Sequence, residues 1–102
     1  MDTINMSTIK TACKTHFFDT STMRFFNSKT HGKGYRSGDL AFFVTSEQFE
    51  YHGRRDPVRY TVRVIDLKTG EVETHPNHDT FQKYSTLENA DIAARLAALE
   101  QE

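Results

Sequence analysis

Apolar and polar residues alternate most strictly from Arg59 to Asp66, where Tyr60, Val62 and Val64 are interleaved with Thr61, Arg63 and Ile65. A period of two predicts a strand with one buried face. Asp66-Leu67-Lys68-Thr69-Gly70 then supplies turn chemistry. An Asp side chain bonds backbone N–H groups just downstream, and a glycine takes the left-handed conformation that closes a short loop. Glu71 to Thr74 resumes the alternation, so a β-hairpin is predicted, with strands around 59–66 and 71–75. Arg59 and Arg63 alternate with its apolar face and are expected to point outward.

Leu40 to Phe49 begins as a further strand, around 40–46, with Leu40, Phe42 and Val44 on one side and Ala41 and Phe43 on the other. Thr45 to Gln48 blurs the pattern, so the strand is expected to end or bulge there. Tyr51 to Val58 reads as a loop with Arg54 and Arg55 at its tip, punctuated by Gly53 and Asp56-Pro57. His75 to Lys83 reads as a connector, with Pro76 ending the strand and Phe81 and Tyr84 folding it onto the core.

Ser85 to Glu102 carries the strongest helix pattern. Ser85 with Glu88 three residues on makes a capping box, and alanine dominates the interior. Leu87, Ala90, Ala94 and Ala97 fall on one side of the wheel, while Ile92, Leu96 and Leu99 fall nearly opposite. A surface helix normally carries one apolar stripe, and this one carries two. The preferred account packs the bulky stripe on the sheet and leaves the alanines to helix propensity. The alternative gives one stripe to the sheet and the other to a partner or a second copy.

Upstream the pattern weakens. In His16 to Lys29, Asp19 or Ser21 is the expected N-cap of a short helix with Met23, Phe26 and Phe25 turned inward, and a strand entering from Phe17-Phe18 is the alternative. Thr30 to Asp39, with three glycines and Tyr35 as its one apolar residue, is expected to be a mobile loop. Residues 1–15 have only Ile4, Met6 and Ile9 as apolar anchors and read as a loosely ordered arm, or as a short edge strand. These elements predict an α+β fold: an antiparallel sheet of three to four strands, a C-terminal helix on one face, and a short N-terminal helix. Residues 16–102 would form the single domain. The order of helix, strands and helix is similar to double-stranded-RNA-binding domains in topology alone, since Glu88 and Asp91 occupy the start of the last helix.

Composition sharpens this in two ways. Eight Phe and four Tyr among 102 residues mean that aromatics supply much of the core. A formal charge of −1 gives no global pull toward nucleic acid or an anionic membrane. Cys13 is the single cysteine, no apolar run nears the ~20 residues of a membrane span, and no leader-like apolar segment stands near the start, so a cytoplasmic location is expected.

Candidate chemistry is sparse. His75 and His78 are spaced wrongly for a helical metal pair, and no Cys cluster supports them. Cys13 lies in the weakest-patterned segment, and the glycines at 32, 34 and 38 lack the Lys-Ser/Thr ending of a phosphate loop. No paired carboxylates suggest acid–base work. The expectation is a protein with no metal, no cofactor and no enzymatic activity.

Phe17-Phe18-Asp19 with Ser21-Thr22-Met23-Arg24-Phe25-Phe26, Phe43-Val44-Thr45-Ser46-Glu47, and the TVR strand with its TG turn and Ala-rich tail together resemble small bacteriophage and mobile-element proteins, over roughly residues 16–99. The resemblance brings no catalytic residues. It implies a small accessory protein that binds and blocks a host protein or nucleoprotein, including defence systems such as CRISPR-Cas.

The residues read for such a contact are Arg24, Lys29, Lys33, Arg36, Arg54, Arg55, Arg59 and Arg63, with Tyr35. Arginine pairs bidentately with carboxylates or phosphates, which suits an acidic protein groove. Direct nucleic-acid binding through the same residues, with Tyr35 and Tyr51 stacking on bases, is the alternative. Homodimerisation through Ile92, Leu96 and Leu99 is a third reading. Both leading readings require the basic residues to converge on one face.

Overall fold

The structure, a computed structural model, describes residues 2–25, 27–74 and 81–101. In chain order the elements are β1 (Asp2–Ile4), α1 (Met6–Ala12), α2 (Thr20–Phe25), β2 (Lys29–Ser37), β3 (Leu40–Glu47), β4 (Glu50–Tyr51), β5 (Arg54–Arg55), β6 (Arg59–Asp66), β7 (Val72–Thr74) and α3 (Leu87–Glu100). The class is α+β, with the C-terminal helix and the short helix after Asp19 that the pattern predicts, and with a further helix, α1, that it does not. Among the described residues an antiparallel sheet runs β1-β2-β3-β6-β7, so it holds five strands and exceeds the expected three to four. β4 and β5 form a separate hairpin.

The hairpin forms as its chemistry dictates. The Asp66 carboxylate accepts from the N–H groups of Lys68 (2.9 Å) and Thr69 (3.2 Å), while Gly70 N donates to Asp66 O at 2.7 Å. Gly70 sits at φ +78°, and an added Cβ would lie 2.7 Å from Ala12 O, so both conformation and space demand glycine.

Of the segment read as a loose arm or a short edge strand, Asp2–Ile4 is the edge strand β1 and Met6–Ala12 the helix α1, and the expected mobile loop is a strand of the same sheet. Thr30 to Ser37 lies in β2, paired with β3 on one side and with β1 on the other. The pattern missed it because Gly34 leaves room for a neighbour: its missing Cβ would stand 2.6 Å from Ile9 Cδ1 and 3.0 Å from Ile4 Cγ2. Ile4 and Ile9, the sparse apolar points of the first fifteen residues, are both buried there. Tyr35 likewise leaves the loop for the core. Within the described residues, α2 follows Asp19 as expected, but Phe25 is 77% exposed and does not turn inward. Phe26, Pro76, His75 and His78 lie outside the described residues.

Both faces of the sheet are covered. On one, Tyr35, Phe42, Val44, Val62 and Val64 meet Ala90, Ala94, Ala97 and Ala98 of α3. On the other, Ala41, Phe43 and Ile65 pack with Ile4 and Ile9, and Phe17 and Phe18 close the edge with ring centroids 6.2 and 5.9 Å from Phe43. Each large side chain fully buried this way is worth about 1.5–3 kcal/mol.

The preferred account of α3 is overturned. The alanines, not the bulky stripe, face the sheet, because small residues fill the space left opposite Tyr35 and Phe42. Ile92, Leu96 and Leu99 are 46%, 52% and 46% exposed. The helix start also differs by one residue. Thr86, not Ser85, is the N-cap, and its side chain accepts from Asn89 N at 3.2 Å.

Candidate binding site

β3 and β6 pair along their full length, from Leu40 opposite Asp66 to Glu47 opposite Arg59. At the Glu47 end the sheet face away from α3 turns polar. Arg63, expected outside, is 9% exposed. Its Nε donates to Thr45 Oγ1 (3.1 Å), Nη1 to Thr74 Oγ1 (2.7 Å), and Nη2 reaches Glu47 Oε2 (3.5 Å). Glu47 is fully buried and also accepts from the hydroxyls of Thr61 and Ser28. The Arg63 guanidinium lies between Phe17 and Phe81, 5.3 and 5.4 Å from their centroids. Burial pulls its pKa down and the Glu47 carboxylate opposes that. Arg63 therefore belongs to a satisfied interior network, because the sheet is covered on the side that simple alternation assigns to solvent.

Tyr35 is also interior. Its hydroxyl donates to Asp91 Oδ1 at 2.6 Å, and burial, with that hydrogen bond, raises its pKa. Tyr35 has no free ring face for a base, because the Arg95 guanidinium lies 5.4 Å from its centroid and the opposite side faces the core. Arg59 is half-buried and donates to Gln82 O (3.2 Å) and Lys83 O (2.9 Å), anchoring the start of the 81–86 segment.

The remaining basic residues only partly converge. Lys29 opens β2 opposite Ser46, a tight turn joins it to Arg24 in α2, and Arg54 and Arg55 extend in β5 beyond the same end of the sheet. Arg55 lies 3.7 Å from Glu50. Lys33 follows the register shift after His31, and Arg36 lies toward the opposite end, its Nε donating to Gly38 O at 2.9 Å. A single surface of nine residues is therefore not formed.

Two features remain. The first is the outer face of α3, where Ile92, Leu96 and Leu99 run at i, i+4 and i+7, with Glu88, Asp91 and Glu100 against a single cation, Arg95. Asp91 and Arg95 approach to 3.6 Å. The second is a cleft of about 230 Å³ on the α3 side of the sheet at the Lys29 end, lined by Asn27, Lys29, His31, Ser46, Gln48, Val58 and Tyr60. There His31 Nε2 and Ser46 Oγ are 2.8 Å apart, and the imidazole stands edge-on to Tyr60. Burial lowers the His31 pKa, Lys29 lowers it further, and Glu47 opposes both.

Of the cleft residues, the sequence marked Lys29 alone as a contact residue. His31 and Ser46 share the parity of Tyr35 and Val44 across β2 and β3, a signal visible only once Thr30 to Ser37 is known to be a strand. Among the described residues no group of three His, Cys, Asp or Glu side chains is placed to hold a metal ion. No helix among them is long and apolar enough to cross a membrane.

An α+β protein with these two surfaces is the class that fold and geometry define. Residues 3–95 match a family of unknown function, DUF7447, and the chain belongs to that family. No curated protein and no solved structure matches it.

Proposed function

We propose that this protein is a non-enzymatic accessory protein of bacteriophage type that binds a host protein or nucleoprotein complex and blocks it by covering a surface. The observation carrying this reading is the outward stripe of Ile92, Leu96 and Leu99 on a helix already docked by its alanines. Large apolar side chains concentrated on one exposed helix face mark an interaction surface. The stripe is bordered by Glu88, Asp91 and Glu100 against Arg95 alone. Its complement is an apolar groove rimmed by Lys and Arg, the kind of surface that nucleic-acid-handling proteins carry.

The absence of enzymatic activity in this reading rests on the Ser46–His31 contact. Among the described residues no carboxylate hydrogen-bonds that imidazole, so nothing orients it as a base toward the 4%-exposed Ser46.

The test is capture from nuclease-treated bacterial lysate by the tagged wild type, by Leu96→Glu, and by the double variant Arg54→Glu/Arg55→Glu. The expected result is a stoichiometric protein retained by wild type and the double variant and lost by Leu96→Glu. A partner indifferent to Leu96→Glu, or recovery of nucleic acid alone, would overturn the reading. A wild-type mass of two chains by light scattering, halved by Leu96→Glu, would instead assign the stripe to a second copy.

A further inference from the structure

We propose that the cleft between β2, β3 and β6 binds a small organic phosphate, with its phosphate at Lys29, Asn27 and Gln48 and its carbon body against Tyr60 and Val58. The lining holds one full positive charge and no carboxylate. Glu47, whose charge acts on His31, is buried on the opposite face, where Arg63, Thr61 and Ser28 engage both its oxygens.

The donors are in surplus. Lys29 has three N–H donors and no ion pair among the described residues. Gln48 uses one amide N–H on Asp56 O at 3.0 Å and retains another. Asn27 is exposed, its side-chain amide makes no hydrogen bond among the described residues, and its backbone is held at φ +48°. Three donor groups, one on β2 and one on each of two connecting segments, suit a tetrahedral anion with several acceptor oxygens better than a planar carboxylate. Tyr60 and Val58 add an apolar wall, and Val58 is 38% exposed. His31, hydrogen-bonded to Ser46 and edge-on to Tyr60, fixes the floor.

The site is separate from the outer face of α3, so its failure would leave the proposed function untouched. The experiment is an NMR titration of the ¹⁵N-labelled chain with adenosine monophosphate, ribose 5-phosphate, inorganic phosphate, adenosine, acetate and sodium chloride at matched ionic strength. Both organic phosphates should give saturable shifts at the side-chain amides of Asn27 and Gln48, with at least tenfold weaker binding in Lys29→Ala. A bound dianion should also raise the His31 titration midpoint, which burial and then Lys29 hold down and Glu47 opposes. Inorganic phosphate binding as tightly as the organic phosphates would assign the site to the free ion. Shifts that sodium chloride or acetate reproduces, or that Lys29→Ala leaves unchanged, would overturn the proposal.

Discussion

Truncating Glu47 to alanine should destabilise the fold by about 3–5 kcal/mol, the cost of removing one charge of a buried pair and stranding the other. The structure supports the upper part of that range. Glu47 is fully buried, and the Arg63 side chain retains 10% of its exposure. The contact itself is long, 3.5 Å, so little of the loss is direct attraction. Most of it is the desolvated guanidinium, held between Phe17 and Phe81 with Thr45 and Thr74 as its remaining acceptors among the described residues. The hydroxyls of Ser28 and Thr61 lose their acceptor as well.

A domain of this kind holds about 5–15 kcal/mol in total, so the variant should unfold at much lower urea. Glu47→Leu combined with Arg63→Met keeps volume and removes both charges. It should cost at least about 1.5 kcal/mol less than the sum of the single changes, since residues in contact couple by about 0.5–3 kcal/mol. Urea unfolding by far-UV circular dichroism, with unchanged m values, measures all four. A loss below about 1 kcal/mol for Glu47→Ala, or single changes that add within about 0.5 kcal/mol, would refute the reasoning.

Other consequences are as direct. Gly34→Ala should cost about 1–3 kcal/mol by overpacking, because its Cβ meets Ile9 and Ile4; a neutral result in urea would detach the N-terminal segment from the sheet. Thr86→Ala should lose about 1 kcal/mol through the lost cap while Ser85→Ala loses little, and the reverse order would restore the capping box. The lowered His31 pKa makes the unfolded chain the better proton acceptor. That contribution to stability is fully present above about pH 6.5 and is lost as pH falls through the lower folded value. Urea midpoints of wild type and His31→Gln should therefore converge below that range, and parallel curves would contradict the assignment.

The readable parts of this chain were those in which local pattern and tertiary role agree. β3 and β6 alternate cleanly, and the Asp66–Gly70 turn carries its own hydrogen bonds, so both are legible from residues alone. Thr30 to Ser37 was unreadable because it offers the core one tyrosine and a glycine that works by absence, Gly34 making space for Ile9. The N-terminal fifteen residues hid for the complementary reason: two isoleucines suffice to pin them, too few to set a period.

Arg63 shows how alternation fails when a sheet is covered on both sides. Its outward parity points it under Phe17 and Phe81, and Glu47 is the compensating partner. On α3, hydrophobicity misled because packing against large aromatics selects small side chains. The stripe that looked like core is the exposed one. Of the candidate contact residues, Ile92, Leu96 and Leu99 remain on an open surface, Tyr35 and Arg63 are absorbed into the interior, and the other basic residues divide between the ends of the sheet.

The claim that matters most is that α3 turns its alanines to the sheet and its leucines away. Paired urea unfolding of Leu96→Glu and Ala94→Leu, with masses by light scattering, tests it directly. Leu96→Glu should stay within about 0.5 kcal/mol of wild type, as surface changes do. Ala94→Leu should lose about 1–3 kcal/mol, because no space is left against the sheet. Collapse of Leu96→Glu with a tolerant Ala94→Leu would mean that the bulky stripe is the core, and the binding surface would be lost with it.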